Sequence, residues 1–495
     1  MITIGIDIGS SFIKASVYDA AAGCTLSKAS APDTEMPIRA EHRDWAEQSP
    51  GMWWDYARKA VIEAVRHSKV PATDISAIGI TYQMHGLVCL DLQGNPLRPS
   101  IIWCDSRAVE TGKMLAAKLG DDYCRNHLLN SPGNFTASKL TWVKENEPAI
   151  FDKIHRIMLP GDYIAFKLTG EMNTTVSGLS EGIFWDFPGN RVSEELLRSS
   201  AISGDLLSSV IPTFGEQGRL MPAIAQELGL KPGIPVTYRA GDQPNNAFSL
   251  NVLNPGEVAA TAGTSGVVYG VTDRMIADSL YRVNTFLHVN HSAETNRLGV
   301  LLCINGTGIL NSWLRKNTGG GLDYSKMNEA ALQIPAGSEG LMIVPFGNGA
   351  ERMLQNQETG CQVVGLNFNR HTQAHLFRAA QEGIAYAFRY GMDAMKETGI
   401  SPSVIRAGNA NMFLSPVFRQ TLADVTGVCI DLYETDGSIG AARGAAIGAG
   451  YYSGFKDAFV QMKRTRVIEP SSGRSASVEA YHRWKSLLDK TLKSA

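Results

Sequence analysis

Two short segments of this chain combine β-forming residues with a turn of glycine and hydroxyl residues, one near the start of each half. The first contains Asp7, Gly9, Ser10 and Ser11, with Lys14 just beyond; the second runs from Val258 to Val268 around Gly263-Thr264-Ser265-Gly266. Each pattern predicts a strand that turns and returns as a second strand. Glycine lets a ligand approach the main chain, and successive N–H groups in such a turn bind anions. The pair favours two domains that bind a polyphosphate, and the alternative is two ordinary hairpins.

The length and charge of the chain indicate how many domains it has and which kinds of partner it does not bind. A chain of 495 residues is too long to fold around one hydrophobic core, so we predict two domains, residues 1–246 and 247–495. The 46 basic and 48 acidic residues nearly balance, which gives no basic surface for nucleic acid or an anionic membrane. The seven cysteines are dispersed, and no leader or membrane-spanning stretch is visible. We therefore expect a soluble cytoplasmic protein in a reducing compartment.

The order of the predicted elements indicates an α/β fold. Strands are predicted at 2–8, 12–17, 75–80, 87–90, 101–103 and 404–406, and residues 173–182 are predicted to be a loop. Helices are predicted near 50–67, 308–316, 373–398, 414–426 and 438–451. The small residues spaced at i, i+4 in the last helix predict close packing on a sheet or another helix.

Several polar residues follow predicted strands, where open α/β sheets bind ligands. Asp242, next to Gln243, could accept a proton from a hydroxyl that attacks a γ-phosphate; the alternative is an Asx turn. Asp7 could hold Mg²⁺ through water. His85, preceded by Met84, is either a structural histidine or a contact for a hydroxylated ligand.

Two further segments are candidates for ligand contacts. Trp103 and Asp105, close to Arg107, form the mixture of ring and charge that binds sugars, although an internal Asp–Arg ion pair is the competing account. The small-residue turn from Gly408 to Asn411 suits an adenine ring or a plain strand-to-helix connection. Neither a P-loop nor a Gly-x-Gly-x-x-Gly motif after a strand is present.

Taken together, these motifs resemble the FGGY family of carbohydrate kinases, from Ile4 to about Gly450. Within that family, the segments Gln83–Gly86, Trp103–Arg107 and Phe135–Leu140 are most similar to the D-xylulokinase branch. The resemblance implies two actin/hexokinase-like (ribonuclease H-like) α/β domains with a cleft between them. It also implies ATP and Mg²⁺ as cofactors and a small sugar as the partner.

The resemblance also implies a role for each candidate residue. Asp242 would be the general base, and D-xylulose would become D-xylulose 5-phosphate. The sugar would be bound by the residues of the first half, Met84, His85, Trp103, Asp105 and Gln243. Asp7 would place Mg²⁺. The nucleotide and its phosphates would be bound by Gly9, Ser10, Ser11, Lys14, Gly263, Thr264, Ser265, Gly308, Ser312, Gly408 and Asn411.

Departures from the family pattern leave alternatives open. Gln243 stands where xylulokinases carry Asn, as in glycerol kinases, and the loop 174–178 lacks its usual acidic residue. The remaining alternatives are a kinase for ribulose, fuculose or glycerol, a non-catalytic sugar sensor, and an Hsp70-like ATPase. The sensor is disfavoured because it has no need of Asp242, and the chaperone because no substrate-binding domain follows residue 450. Assembly as a monomer or a homodimer is open as well.

Overall fold

The computed structural model describes residues 1–494, which form two compact units. The first unit contains Met1–Asn251, Phe286–Asn296 and Thr435–Met462. The second contains Val252–Thr285, Arg297–Glu434 and the residues from Lys463 onward. Nowhere in residues 1–494 is a helix both long enough and apolar enough to cross a membrane.

The strands, in chain order, are β1 (Ile2–Ile8), β2 (Ile13–Asp19), β3 (Cys24–Ala31), β4 (Glu47–Gln48), β5 (Ile75–Tyr82), β6 (Val88–Leu90), β7 (Ser100–Ile101), β8 (Arg156–Met158), β9 (Asn173–Thr175), β10 (Trp185–Asp186), β11 (Arg191–Val192), β12 (Ser209–Ile211), β13 (Val236–Gly241), β14 (Glu257–Ala262), β15 (Gly266–Thr272), β16 (Asn284–Leu287), β17 (Leu298–Ile304), β18 (Met342–Val344), β19 (Gln362–Val364), β20 (Val404–Gly408), β21 (Ile430–Tyr433) and β22 (Arg464–Ile468).

The helices, in chain order, are α1 (Pro50–Ser68), α2 (Val109–Leu119), α3 (Asp121–Tyr123), α4 (Thr136–Asn146), α5 (Pro148–Phe151), α6 (Pro160–Thr169), α7 (Val176–Glu181), α8 (Glu194–Ser200), α9 (Pro222–Leu228), α10 (Asp242–Ser249), α11 (Gly308–Thr318), α12 (Tyr324–Leu332), α13 (Gln373–Met395), α14 (Pro416–Thr426), α15 (Gly437–Gly448), α16 (Phe455–Ala458) and α17 (Ser475–Ser494).

Each unit is built on one main sheet, and the two sheets share an arrangement of strands. The first has the order β13-β5-β1-β2-β3, in which β1, β2 and β3 form an antiparallel meander and β5 and β13 are parallel to β1. The second has the order β16-β17-β15-β14-β20-β21-β22, with β14, β15 and β17 as the meander and β20 and β21 parallel to β14. Both predicted hairpins are therefore confirmed, β1–β2 and β14–β15.

Alternation along β1 separates a face buried in the apolar core from the opposite face, which carries Asp7. Ile4, Ile6 and Ile8 are buried in a core that also contains Trp53 of α1. The intervening residues point to the opposite face, because successive side chains of a strand alternate. Asp7 is one of these intervening residues and lies at the end of the strand, so the alternation directs its carboxylate away from the apolar core.

Helix α15 packs closely on that opposite face of the first sheet. A Cβ atom added at Gly5 or at its register partner Gly79 would collide with the main-chain carbonyl of Ser438 or Ala441, respectively. The predicted close packing of this helix is therefore confirmed. The structure assigns α15 to the first unit, whereas the predicted boundary after residue 246 places it in the second domain. The order of residues along the chain does not reveal that the chain returns to the first unit at this helix.

One local prediction is wrong. Residues 173–182, predicted to be a loop, form β9 and α7, and Thr175 Oγ1 caps α7 by accepting from Gly178 N at 3.1 Å. Serine, threonine and glycine have low helix propensity, but burial of this segment overrides it. The strands predicted at 87–90 and 101–103 are present as β6 and β7, which pair with β8 and β4, respectively, in two small ribbons.

Candidate active site

Asp242 is placed at the point where a parallel strand ends and a helix begins. Strand β13 ends at Gly241, and Asp242 is the first residue of α10. Burial raises the pKa of Asp242 to about 7, and the charge of Asp7 adds to this effect, whereas hydrogen bonds from Gln243 oppose it. A carboxyl group with a pKa near neutrality is matched to proton transfer at physiological pH.

Asp7 forms the second acidic position of the first unit. Burial raises its pKa to about 6, opposed by the charge of Lys14 and reinforced by that of Asp436. Lys14 is the register partner of Asp7 across the β1–β2 ladder. Helix α15 begins beside this carboxylate, since a Cβ atom at Gly437 would lie 2.6 Å from Asp7 Oδ2. Glycine at this position leaves room next to a hard oxygen donor.

The turn after β1 lies next to one of the predicted sugar contacts. The main-chain carbonyl of Ser10 accepts from Gln48 Nε2 at 2.7 Å, and that of Ser11 accepts from Met36 N at 2.9 Å. The indole Nε1 of Trp103 donates to Ser10 Oγ at 3.3 Å, and the Trp103 side chain is half exposed. The turn is thus held by hydrogen bonds, and an aromatic face lies beside it.

His85 adopts a conformation that is unusual for a residue other than glycine. Its φ is 63°, in the left-handed region. Its carbonyl accepts from Lys139 Nζ at 2.9 Å, and its Nδ1 lies 3.0 Å from the carbonyl oxygen of Glu181. Since a carbonyl only accepts, Nδ1 carries the proton, and Nε2 of the neutral ring is an acceptor. The rings of Phe135 and Phe286 pack against His85 at 4.7 and 5.4 Å between centroids.

Met84 links this loop to the end of β13, directly before Asp242. The side chain is buried, and a Cβ atom added at Gly241 would lie 2.6 Å from its Cγ. The loop after β5 and the residue before Asp242 are therefore in contact.

Asp105 lies in the internal ion pair that was the alternative to a sugar contact. Its carboxylate is fully buried, accepts from Ala46 N at 2.6 Å and pairs with Arg107 Nη2 at 2.7 Å. Arg107 also pairs with Glu47 at 2.8 Å and lies 3.8 Å from the ring centroid of Trp45. The contacts with Ala46 N and Arg107 Nη2 are made by Oδ2, and Oδ1 accepts from Arg107 N at 2.9 Å, so both oxygens of Asp105 have partners within the fold. Its sugar contact stays a prediction.

The second unit brings several predicted nucleotide contacts together. The N–H groups of Gly308 and Ile309, at the start of α11, donate to the carbonyls of Gly263 and Thr264, both at 3.0 Å. Asn411 Nδ2 lies 3.7 Å from the position of a Cβ atom at Gly263. Three separated segments therefore meet at this turn.

The remaining predicted residues take these places. Thr264 and Ser265 are exposed in the turn, Ser312 is half-buried on α11, and Gly408 ends β20, which precedes Asn411 with its left-handed φ of 53°.

Two buried residues escaped prediction. Glu181 lies in the segment that was predicted to be a loop, and an acidic residue between Leu179 and Phe184 was the available signal. Lys139 is fully buried and donates to the carbonyls of His85 and Ile102, each at 2.9 Å. Burial lowers its pKa to about 8, although the charge of Asp105 opposes the shift.

Comparison with known proteins identifies the family. The N-terminal domain model of the FGGY family of carbohydrate kinases matches residues 2–249, and the C-terminal domain model matches residues 258–453. The chain belongs to the FGGY family of carbohydrate kinases. The predicted family is confirmed, and so is its two-domain, actin/hexokinase-like α/β fold. Membership of this family implies the use of ATP and of a small sugar substrate.

Individual relatives match over nearly the whole chain. The xylulose kinase of Escherichia coli K12 is 30% identical over 449 residues, which cover 90% of this chain and 88% of that protein. The xylulose kinase of Bacillus subtilis is 27% identical and covers 93% of this chain and 91% of that protein. The crystal structure of xylulose kinase from Rhodospirillum rubrum superimposes with a TM-score of 0.88 at 26% identity, with 99% of each chain covered.

Proposed function

We propose that this protein transfers the γ-phosphoryl group of ATP to D-xylulose and forms D-xylulose 5-phosphate. The observation that carries the proposal is Asp242, a carboxyl group at a strand end whose burial and neighbouring charge raise its pKa to about 7. The names of the relatives from E. coli, B. subtilis and R. rubrum support the choice of sugar.

In the proposed mechanism, ionised Asp242 accepts the proton of the terminal hydroxyl of the sugar. The oxygen of that hydroxyl forms a bond to the γ-phosphorus, the bond from that phosphorus to the β–γ bridging oxygen breaks, and ADP leaves. The proton ends on the Asp242 carboxyl. A base whose pKa lies near the operating pH combines a usable ionised fraction with enough basicity to take the proton.

The loop after β5 binds the sugar in this proposal. Nε2 of His85 accepts a hydrogen bond from a sugar hydroxyl, Met84 supplies an apolar wall, and the exposed ring of Trp103 offers a face for the C–H groups of the sugar. Gln243 lies beside the base. Asp105 acts here by fixing Arg107 and the loop that carries Trp103.

The two turns and their neighbours bind the nucleotide in this proposal. Phosphate oxygens contact the main chain at Gly9–Ser11 with Lys14 nearby, and at Gly263–Ser265 beside the start of α11 with Ser312. The turn with Gly408 and Asn411 lies against adenosine.

The residues of the first unit fit a magnesium ion. Mg²⁺ is typically held by one or two carboxylates together with waters and substrate phosphates, and Asp7 supplies one such carboxylate beside the open space at Gly437. Across residues 1–494, no group of three or more histidine, cysteine, aspartate or glutamate side chains is placed to hold a metal ion. When bound, the ion would neutralise charge on the phosphates.

A coupled assay of ADP release across a panel of sugars tests the proposal. We expect D-xylulose to give the highest kcat/KM among D- and L-ribulose, L-xylulose, L-fuculose, glycerol and D-xylulose itself. Gln243 favours one competitor, because a longer amide beside the base suits a shorter polyol. A tenfold advantage for glycerol or another acceptor would overturn the choice of sugar and leave the phosphotransfer in place.

The proposal also covers the cellular compartment and the oligomeric state of the enzyme. We place the enzyme in the cytoplasm, since all seven cysteines are free thiols in the structure and such thiols suit a reducing compartment. Sedimentation of the purified protein distinguishes a homodimer from a monomer.

A further inference from the structure

Glu181 is a buried acid that lies between two loops of the proposed active site. It is the last residue of α7 and only 1% exposed. Its Oε1 accepts from His85 N at 3.5 Å, and a Cβ atom added at Gly241 would collide with its Oε2. We propose that Glu181 is a positioning residue for phosphoryl transfer, whose carboxyl group fixes both the His85 loop and the turn that carries Asp242. The inference rests on the proposed function, because it takes His85 as a sugar contact and Asp242 as the base.

The strained conformation of His85 is the first support for this role. A left-handed φ is unfavourable for a residue other than glycine and persists where surrounding contacts impose it. Glu181 provides two of those contacts, from its side chain to His85 N and from its carbonyl to His85 Nδ1. Lys139 provides a third at the carbonyl of His85. The ring is thereby aimed in one direction, with Nε2 as the acceptor.

The close approach to Gly241 is the second support. Only glycine leaves room at position 241 for both the carboxyl group of Glu181 and the side chain of Met84. The carboxyl group therefore contacts the main chain directly before the base, and a change in its shape displaces the start of α10.

The charge state of Glu181 fits a positioning role and not a second base. Burial raises its pKa well above the usual range, and the charges of Asp242 and Asp162 add to the shift, whereas hydrogen bonds from His85 N and Tyr82 oppose it. Tyr82 stays protonated in the same surroundings, and Asp162 is paired with Arg239 at 2.8 Å. These surroundings thus favour the neutral, protonated form of the Glu181 carboxyl group.

Two substitutions by side chains as long as glutamate distinguish the effect of the hydrogen bonds from the effect of side-chain volume. Glu181→Gln retains a neutral polar group that can accept from His85 N, so we expect kcat and both KM values within about twofold of the wild type at pH 7. Glu181→Met fills the same space without these hydrogen bonds. We expect it to raise the KM for the sugar about tenfold or more and to leave the KM for ATP within about twofold.

Thermal unfolding and the sugar KM together distinguish positioning from a merely structural role. Glu181→Met leaves the partly buried N–H of His85 without its side-chain acceptor, so we expect it to lower the Tm and also to raise the sugar KM selectively. Glu382→Met is the matched control, since Glu382 is a buried glutamate of α13 that pairs with Arg378 at 2.7 Å in the second unit. It should lower the Tm without a selective rise in the sugar KM.

The best acceptor of the wild type in the sugar panel serves as the substrate in this experiment. If another acceptor gives the highest kcat/KM in the panel, only the choice of D-xylulose is overturned. Glu181 is then tested with the sugar or polyol that is turned over. A sugar KM unchanged by Glu181→Met overturns the positioning role. Equal rises in the KM values for sugar and ATP also overturn it. A Glu181→Gln variant as impaired as Glu181→Met would show that the negative charge is needed and would overturn the neutral acid.

Discussion

At the scale of single residues, burial divides the carboxyl groups of the first unit into different roles. Asp242 and Asp7 have pKa values of about 7 and about 6, because burial disfavours their charged forms and each lies near another acid. Burial also raises the pKa of Glu181 well above its usual range, and the charge of Asp242 adds to the shift. Acids with separated pKa values can serve as a base and as neutral hydrogen-bonding groups in one site. The arrangement favours Asp242 as the group that exchanges a proton with the sugar.

We expect Asp242→Asn to lower kcat by about 10²–10⁴-fold, the usual contribution of a positioned base. The amide has the same shape and cannot accept the proton, so calorimetric titration should give nearly unchanged affinities for sugar and ATP. The exposed Asp33→Asn is the control and should behave as the wild type. Near wild-type turnover by Asp242→Asn would remove this residue from the mechanism.

At the scale of elements, the packing of α15 on the first sheet depends on two adjacent glycines. Gly5 and Gly79 are register partners, and the main chain of α15 occupies the space where their Cβ atoms would lie. We expect Gly79→Ala to destabilise the protein by about 1–3 kcal/mol, because main-chain atoms must move to admit the methyl group. Chemical denaturation measures the effect. Gly473→Ala, where a Cβ atom would meet nothing within 4 Å, should be nearly neutral, and equal losses for both variants would contradict the packing argument.

The turn after β14 allows a test of nucleotide binding without loss of the fold. A Cβ atom at Gly263 would meet nothing closer than Asn411 Nδ2 at 3.7 Å, so the protein itself tolerates a side chain there. If phosphates approach this main chain, Gly263→Val should weaken ATP binding at least about tenfold and leave sugar binding unchanged. Separate calorimetric titrations of each ligand give the two affinities. An unchanged affinity for ATP would point to an ordinary hairpin, and equal losses for both ligands would point to misfolding.

The sequence predicted the elements whose periodicity is strong and missed those formed by tertiary contacts. The hairpin β1–β2, the long helices α1 and α13, and the small-residue helix α15 follow from local patterns. The α7 segment does not, because burial and the cap from Thr175 stabilise a helix that its composition disfavours. The same error concealed Glu181. The ion pair of Asp105 was left open for a related reason, since sequence spacing cannot tell whether a charge faces a partner or a ligand.

At the scale of the whole molecule, the two units repeat one topology with little resemblance in sequence beyond their first turns. Each sheet joins a three-stranded antiparallel meander to two parallel strands. This repetition was visible in the sequence only as the two Gly/hydroxyl turns. The return of residues 435–462 to the first unit was not visible, because the glycines that receive α15 lie more than 350 residues before it.

The elevated pKa of Asp242 also predicts how the stability of the whole molecule depends on pH. An aspartate with a pKa of 3.8 when unfolded and about 7 when folded binds more protons in the folded state between these values. Its contribution is therefore lost as the pH rises from about 4 to about 7. Asp242→Asn keeps the shape and removes the titration, so we expect its Tm to exceed that of the wild type at pH 8. The difference should shrink as the pH is lowered to 5, when Asp242 of the wild type is protonated too. Thermal unfolding followed by circular dichroism at both pH values measures the effect. A difference in Tm that is the same at pH 5 and pH 8 would show that Asp242 does not titrate in this range and would contradict its elevated pKa.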